Sequence, residues 1–593
     1  MASPVTTRTV RPLDALRFDT SGPPEITSVV TDHLLRLGAQ AAGPSSGSAP
    51  TGRTVLAGGG FHPAEARTTW SEPGTGIVDE STVQAATGVM GVHGRKHGAP
   101  YGLAADYTAT ATAVLTVQGL LAGLLAQARG SGPTRVSTRA DHAGLLTVSQ
   151  YLAAAGADEG EAADIAGGGP PFTSAEGVHF ELETLDPAAW AAFWRALDTP
   201  ADAVRSGWRP FQFRYATACA PFPRALHATT RRYPLERIRQ AASNAGAQVC
   251  VLATLADRAA EHDGADPWRL HLLGLSGDRP DLRVPAPAGR PLAGTTVLEA
   301  GRRIQAPLAA HLLGLLGAEV IRIEPPGGDP LRGMPPTSSG ISARWLALNR
   351  GKDAVEIDIK ADAGRRRLRE LAAEADVFLH NWAPGKASEL GLDSSDLTSV
   401  NPALVYAYTS GWGGRIADAP MGTDFMVQAR TGVGEAVRPD GEVPAPSLMT
   451  LLDVLGGLLG SEAVLAGLLQ RERSGHGVYV ESSLLGAADI LTAPSLARAA
   501  RGESTRMPAG FRRPLPTADG WVAPCDDAAA DAAAHDLRGL TTADAVQQLH
   551  AHGLTATAVT TDMSSLHRDP RFAGSIGRDA HGAPAVTDPW SFV

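Results

Sequence analysis

Between residues 295 and 414, short apolar, β-branched runs alternate with runs whose apolar positions recur at helical spacing. The β-rich runs cover 297–300, 318–324 and 355–360, and a further one leads into Tyr408-Thr409-Ser410. Most end in glycine, proline or asparagine, as in Pro325-Pro326-Gly327-Gly328, Asn381-Trp382-Ala383-Pro384-Gly385 and Gly411-Trp412-Gly413-Gly414. This alternation predicts a parallel sheet with a binding crevice at its carboxyl edge. Two longer apolar stretches, 104–126 and 448–469, are broken by Asp106 and Gln118 and by Asp453 and Glu462. They are expected to be buried helices rather than membrane spans. Elsewhere the pattern predicts a helix over 24–37 stopped by Gly38, a strand at 178–182, helices over 187–197 and 235–245, and a helix within 139–166. Residues 1–20 are expected to be disordered, 41–53 a loop, 280–294 a proline-rich joint, and 579–593 a return segment too short for a domain.

The pattern also repeats. Val83-Gln84-Ala85-Ala86-Thr87-Gly88-Val89 returns as Val427-Gln428-Ala429-Arg430-Thr431-Gly432-Val433, and Leu121-Ala122-Gly123-Leu124-Leu125 returns as Leu465-Ala466-Gly467-Leu468-Leu469, both 344 residues on. Each copy then enters a basic turn and a short strand, at 134–137 and 478–481. So long a period means a whole fold present twice, not a solenoid. The echo of His33-Leu34-Leu35-Arg36-Leu37-Gly38 in the stretch from His311 to Gly317 sets the two glycines 279 apart. The first copy is therefore expected to lack 65 residues, where the second carries 349–352 and 381–385, and with them most of a ligand crevice. Thr173-Ser174-Ala175-Glu176-Gly177-Val178 parallels Thr517-Ala518-Asp519-Gly520-Trp521-Val522 and marks a smaller domain in each copy. The expected division is a truncated large domain at 1–166, its small domain at 167–285, a full large domain at 286–505, and a second small domain with the return segment at 506–593.

The 593 residues suffice for several domains, and 43% hydrophobic with 19% charged residues suits a soluble globular chain. A net charge of -10 argues against a nucleic-acid partner. Cys219, Cys250 and Cys525 are far apart and form neither a disulfide framework nor a zinc motif. The N-terminus lacks the apolar core of a signal peptide, so a cytoplasmic location without membrane association is expected. No G-x-G-x-x-G or P-loop motif is present, so neither a dinucleotide nor an NTP is expected. His93 and His97 have helical ligand spacing but lie in a glycine-rich basic loop, and no metal is expected.

The order and wording of the segments at 297–300, 318–329, 348–352, 381–385 and 408–414 resemble family III CoA transferases. That group includes formyl-CoA and carnitine CoA transferases and α-methylacyl-CoA racemases. The resemblance is dense from Pro291 to about Arg501 and weaker beyond. It implies an α/β chain of two intertwined copies of that fold, each with a large Rossmann-like domain, truncated in the first copy, and a small α/β domain. Subunits of the family interlock like chain links, so this chain would be an intramolecular pseudo-dimer that needs no second chain. The resemblance further implies an acyl-CoA and a carboxylic acid as substrates, coenzyme A as the transferred group, and no permanently bound cofactor. CoA would pass through an aspartyl acyl anhydride. The alternatives are an acyl-CoA isomerase or racemase, and a CoA-binding pseudoenzyme or scaffold.

Asp453 is the main chemical candidate. A lone carboxylate at the start of an apolar helix is a cap, is paired, or is functional. The resemblance selects the last: the family's catalytic aspartate lies thirteen residues before an Ala-x-Leu segment, here Ala466-Gly467-Leu468. Amides near Gly456 and Gly457 are candidate oxyanion donors. In the first copy, the position 344 before Asp453 is Ala109, and Asp106 reads as a cap or a relic. By position in the family, CoA contacts fall on Ile304 and Gln305, on Ile357 beside the adenine, on Asn381 and Trp382, and on Lys352, Thr423 and Asp424. Thr423 stands where the racemase branch has a catalytic histidine, which weakens that alternative. Pro325 and Glu389 replace arginines of some members, and Arg322, Arg332, Lys352 or Lys386 would have to compensate. Gly167, Gly168 and Gly169 match a glycine-rich lid that would close over the second copy's site. The second copy has Pro508-Ala509-Gly510-Phe511-Arg512-Arg513 there instead.

Overall fold

The computed structural model describes residues 9–43, 49–132, 134–159, 167–276, 286–287 and 289–593. In the second half of the chain, strands Asp353–Glu356, Glu319–Glu324, Thr296–Ala300, Val377–His380, Val405–Ser410 and His476–Ser483 lie side by side in that order, all parallel. Helices cover the faces, so the central strands are buried on both sides and read as nearly continuous apolar runs. A seventh strand, Trp268–Ser276, joins His476–Ser483 antiparallel and comes from the first half.

The first half builds a second sheet, ordered Gln40–Ala41, Leu16–Ser21, Gly52–Gly58, Phe61–Thr69, Thr134–Arg139, Trp590–Phe592. Its last strand comes from the C-terminus, so each sheet takes its closing strand from the opposite half. Where the second half has two parallel strands joined through helices, the first has an antiparallel hairpin, Gly52–Gly58 and Phe61–Thr69. Parallel strands need a crossover of about a dozen residues or more, whereas a hairpin needs only a short turn. Gly59 and Gly60, with φ of 59° and 85°, supply that turn.

The smaller units cross over as well. The sheet formed by Phe172–Thr173, His179–Glu183 and Gln248–Val251, with a core of Trp190, Phe193, Trp194 and Phe211, packs on the second half, where Ala253 N–H donates to Ala429 O at 2.8 Å. The sheet of Leu515–Pro516, Trp521–Pro524 and Ala556–Ala558 packs on the first half, where Thr560 N–H donates to Ala85 O at 2.9 Å.

The two apolar stretches are helices Tyr107–Ala128 and Leu451–Ser474. Both are long and apolar enough to cross a membrane, yet nearly all of their residues are buried inside the protein. They pack on each other, and Gln118 Nε2 donates across the contact to Leu458 O at 2.7 Å.

Residues 16–21 form a strand, contrary to the expectation of disorder. The segment LRFDTS buries Leu16, Phe18 and Thr20 on one face and exposes Arg17 and Asp19 on the other. Gly52 and Arg53 likewise belong to a strand rather than the expected loop. The helical stretch within 139–166 is two helices, Ala140–Thr147 and Ser149–Ala155. Of these sequence readings, the parts on 1–8, 44–48, 160–166, 277–285 and 288 lie outside the described residues.

Candidate active site

A cavity of about 820 Å³ opens at the carboxyl ends of the parallel strands. From the second half its walls are Arg302, Arg303, Ile304, Gln305, Asn381, Trp382, the turn from Gly411 to Gly414, Thr423, Asp424 and Asp453. The small unit of the first half closes it with Glu183, Trp208, Gln212, Arg214 and Tyr215. Asn381 holds the first strand-to-helix turn: Arg302 N–H donates to its Oδ1, and its Nδ2 donates to Arg302 O, both at 2.9 Å. Arg303, next in that turn, has φ 64°, a left-handed conformation uncommon for a side chain of this size.

Asp453 is the third residue of the helix Leu451–Ser474. Free amides at a helix start need acceptors, and here a neighbouring carboxylate supplies them. Asp424 Oδ2 accepts from Leu452 N–H at 2.7 Å and from Asp453 N–H at 2.8 Å. Gln428 Nε2 donates to Asp424 Oδ1 at 2.5 Å, and the same amide group is anchored on the backbone of Ser447 at 2.8 and 3.0 Å. Asp424 therefore does the capping, and the Asp453 carboxylate is left on the cavity wall. Among the described residues nothing donates a hydrogen bond to it. Burial, reinforced by Asp424, holds the Asp453 carboxyl well above the usual carboxylate range, while Arg303 pulls it down. Burial pushes Asp424 up to about 6. Just before the helix, Thr450 adopts φ 54°, ψ 51°, a strain of about 1–3 kcal/mol placed beside the cavity.

The same device recurs 344 positions earlier. Glu80 accepts from Thr108 N–H at 2.9 Å and Ala109 N–H at 2.7 Å, Gln84 Nε2 donates to Glu80 at 2.8 Å, and Gln84 is anchored on the backbone of Leu103 at 2.8 and 3.3 Å. The residue matching Asp453 is Ala109. Asp106 occupies the cap position but makes no capping bond, which corrects the reading of it as a cap. Its Oδ1 accepts from Arg512 Nη2 at 2.8 Å. Arg512 is buried and also reaches Asp526 at 2.7 Å and the carbonyls of Leu103 and Ala105 at 3.2 and 3.0 Å.

Of the other residues singled out, Ile304, Gln305, Asn381, Trp382, Thr423 and Asp424 line the cavity, and Ile357 and Lys352 do not. Ile357 packs in the core with Leu298, Ile323 and Phe378. Lys352 is spent on a buried contact with Glu299 Oε2 at 2.7 Å, and burial lowers it to about 8. Arg322 and Arg332 are bound to Glu299, Glu324 and Asp329, and Lys386 pairs with Glu389 at 2.9 Å on the surface. Gly456 and Gly457 sit inside the helix rather than facing the cavity. They allow close packing, because a Cβ on Gly457 would lie 2.9 Å from Gln305 O. Gly167, Gly168 and Gly169 do not line the cavity either: Gly168 N–H bonds Lys96 O at 3.0 Å, and Gly169 faces Leu448.

Sequence reasoning missed the contribution of the first small unit. Thr423 Oγ1 donates to Glu183 Oε2 at 2.8 Å, and Arg214 Nη2 donates to the same oxygen at 3.0 Å. The Arg214 guanidinium lies over the Phe211 and Phe425 rings at 3.9 and 4.7 Å. The one available sign was two glutamates within the otherwise apolar strand His179–Glu183. Neither His93 nor His97 has a metal-like setting, since their rings meet Ser447 and Arg438. A trio of His262, Asp263 and Asp489 comes close enough to hold an ion, but Arg258 and Arg415 already occupy its carboxylates.

The family model described as CoA-transferase family III matches residues 72–266 and 292–569. The chain is 37% identical over 202 residues to the succinyl-CoA:glutarate CoA-transferase of Mus musculus, covering 33% of this chain and 46% of that one. It is 37% identical over 199 residues to the succinyl-CoA–L-malate CoA-transferase beta subunit of Chloroflexus aurantiacus, covering 33% and 49%. The chain thus spans about half the length of the curated relatives it matches. Among solved structures, a CAIB/BAIF family protein from Brucella suis aligns at 25% identity and a TM-score of 0.46, covering 50% of this chain and 91% of that one.

Proposed function

The chain belongs to CoA-transferase family III, and from that premise we propose that it moves CoA from an acyl-CoA thioester to a carboxylic acid, with Asp453 as the nucleophile. The observation that carries this reading is the uncapped Asp453 carboxylate on the wall of a cavity at the sheet's carboxyl edge. The ionised carboxylate attacks the thioester carbonyl, the C–S bond breaks, and CoA leaves as thiolate. The acceptor carboxylate then attacks the aspartyl carbonyl of the resulting mixed anhydride and expels the donor acid, and the CoA thiolate opens the second anhydride at the acceptor's acyl carbon, giving acceptor-CoA and freeing the Asp453 carboxylate. The exposed Arg302 and Arg303 on one wall supply positive charge for the phosphates of CoA and the carboxylate of the acid, and Arg214 on the other wall is held by Glu183.

On this reading the chain is two intertwined copies of one fold, bounded near 166, 285 and 505, with one working site completed by the first copy's small domain. The crossed closing strands and crossed small units support a self-sufficient pseudo-dimer. The glycine run at 167–169, next to Leu448, is the segment assigned to close over the anhydride and keep water out. An isomerase would need a second acid-base group, and Thr423, whose hydroxyl is spent on Glu183, offers none. The named activities of the relatives favour a dicarboxylic acyl group. The test is an assay of a purified Asp453→Asn variant with succinyl-CoA and a panel of acids, in D2O as well as water. Transfer by the wild type and none by the folded variant supports the reading. Deuterium wash-in at the α-carbon without transfer would replace it with the isomerase.

A further inference from the structure

A second group of charges lies away from the cavity, where the loop 93–101 of the first half meets residues 438–442 and 506–513 of the second. Arg438 is 2% exposed, yet among the described residues its one side-chain partner is the neutral ring of His97, at 3.0 Å, and its Nε has none. Among the described residues Lys96 Nζ donates only to Pro170 O. His93, 3% exposed, bonds Ser447 Oγ through Nδ1 at 2.9 Å and leaves Nε2 without a partner. Arg513 lies 3.6 Å over the Tyr101 ring, which stacks on His97 at 4.4 Å, and Arg513 alone of the three cations has a carboxylate, Glu442. Among the described residues no acid lies within ion-pair distance of Arg438 or Lys96.

A buried cation such as Arg438 without counter-charge is costly, and natural proteins pair such groups, while Lys96 beside it is half-buried. Burial takes Lys96 down to about 7 and Arg438 depresses it further, while the buried Glu181, beyond ion-pair distance, pulls the other way; burial and then Arg513 lower Arg438 to about 10. We propose that Arg438 and Lys96, with His97 and Arg513 at the rim, form a binding site for a small oxyanion of the carboxylate or phosphate class, separate from the catalytic cavity. The fork of Arg438 suits either anion, and the exposed His97 gives an open side. Lys96 also touches the glycine run, accepting from Gly168 N–H through its main-chain oxygen and donating from its ammonium to Pro170 O just after it. An anion here would therefore sit at the base of that segment.

The test is a thermal-melting titration of the full chain with inorganic phosphate and with succinate, each at constant ionic strength against chloride. Wild type and Arg303→Met, which removes a cavity cation, are expected to show a saturable rise in melting temperature. Arg438→Met is expected to lose it and Lys96→Met to weaken it. A rise with phosphate alone assigns phosphate, a rise with succinate alone assigns a carboxylate, and a rise with both assigns the shared chemistry. No anion-specific rise in the wild type overturns the proposal, as does an undiminished rise in Arg438→Met. An Arg438→Met chain that melts far below the wild type in anion-free buffer also overturns it, because the cation would then be compensated within the chain.

Discussion

The starts of the two long central helices share a scaffold and differ in everything chemical. At Leu451 and at Tyr107 a carboxylate holds the same two amides, a glutamine holds the carboxylate, and a backbone segment holds the glutamine. At the first of these, the next side chain is an uncapped aspartate facing a cavity, preceded by a residue in left-handed conformation. At the second it is alanine, preceded by Asp106 at φ -83°, and the space is taken by the buried Arg512. The residue 344 before Arg512 is Gly168, so one position carries a guanidinium plug in one half and part of a glycine run in the other. Helix capping is needed wherever the helix exists. Among the described residues, the aspartate on a cavity wall and the left-handed residue before it occur at one end only.

The contrast breaks most decisively at the nucleophile. Asp453→Asn is expected to lower transfer by ~10³-fold or more, because an amide keeps the shape and loses the attacking electron pair. Asp106→Asn is expected to change transfer less than roughly twofold. Steady-state rates on both folded variants check this, and equal losses would mean that both halves carry chemistry.

Next in size is the plug. Arg512→Met strips the buried partner from Asp106 and Asp526 and is expected to cost about 3 kcal/mol of unfolding free energy, at the low end because both acids keep some solvent. Denaturant titration measures it. Transfer per folded molecule is expected to stay near wild type, which would place the effect away from the cavity.

How much of this was legible beforehand differs between scaffold and site. Glycine and proline at strand ends marked the crevice, and the two matching heptapeptides set the spacing of 344 that the hydrogen bonds follow residue for residue. The strand at Leu16–Ser21 was hidden because six alternating residues follow a polar, proline-containing start. Lys352 and Ile357 were assigned by family position alone, and nothing local in the chain says that Glu299 takes the lysine. Arg214 and Glu183 reach the cavity only through the crossing of the halves, a long-range arrangement that leaves no local signature.

A finer comparison sets Asp424 against Glu80. Burial holds Asp453 above the usual carboxylate range, and the Asp424 charge adds to it, with Glu183 in the same direction and Arg303 opposed. A carboxylate attacks only when ionised, so with Asp453 in that role the rate is expected to fall as pH falls through that raised value. Asp424→Asn removes a like charge and is expected to move this acid limb to lower pH. Glu80→Gln is expected to leave it in place, and each change should cost about 1 kcal/mol of stability through its weakened cap. A limb that does not move in Asp424→Asn would show that Asp424 is a cap and nothing more. The smallest effect is expected at Gly169→Ala: φ 130° there disfavours any side chain. Transfer is expected to fall roughly threefold and the hydrolysed fraction to rise as closure loosens. An unchanged ratio of transfer to hydrolysis would make the run a plain linker.

One helix start is expected to do the chemistry for the whole chain. Incubating the wild type with succinyl-CoA in the absence of an acceptor acid, quenching, and locating the adduct by peptide mass spectrometry tests it directly. At most one acyl or CoA adduct per chain is expected, on the peptide containing Asp453, and none in the Asp453→Asn variant. An adduct on the peptide containing Asp106, or two adducts per chain, would contradict it.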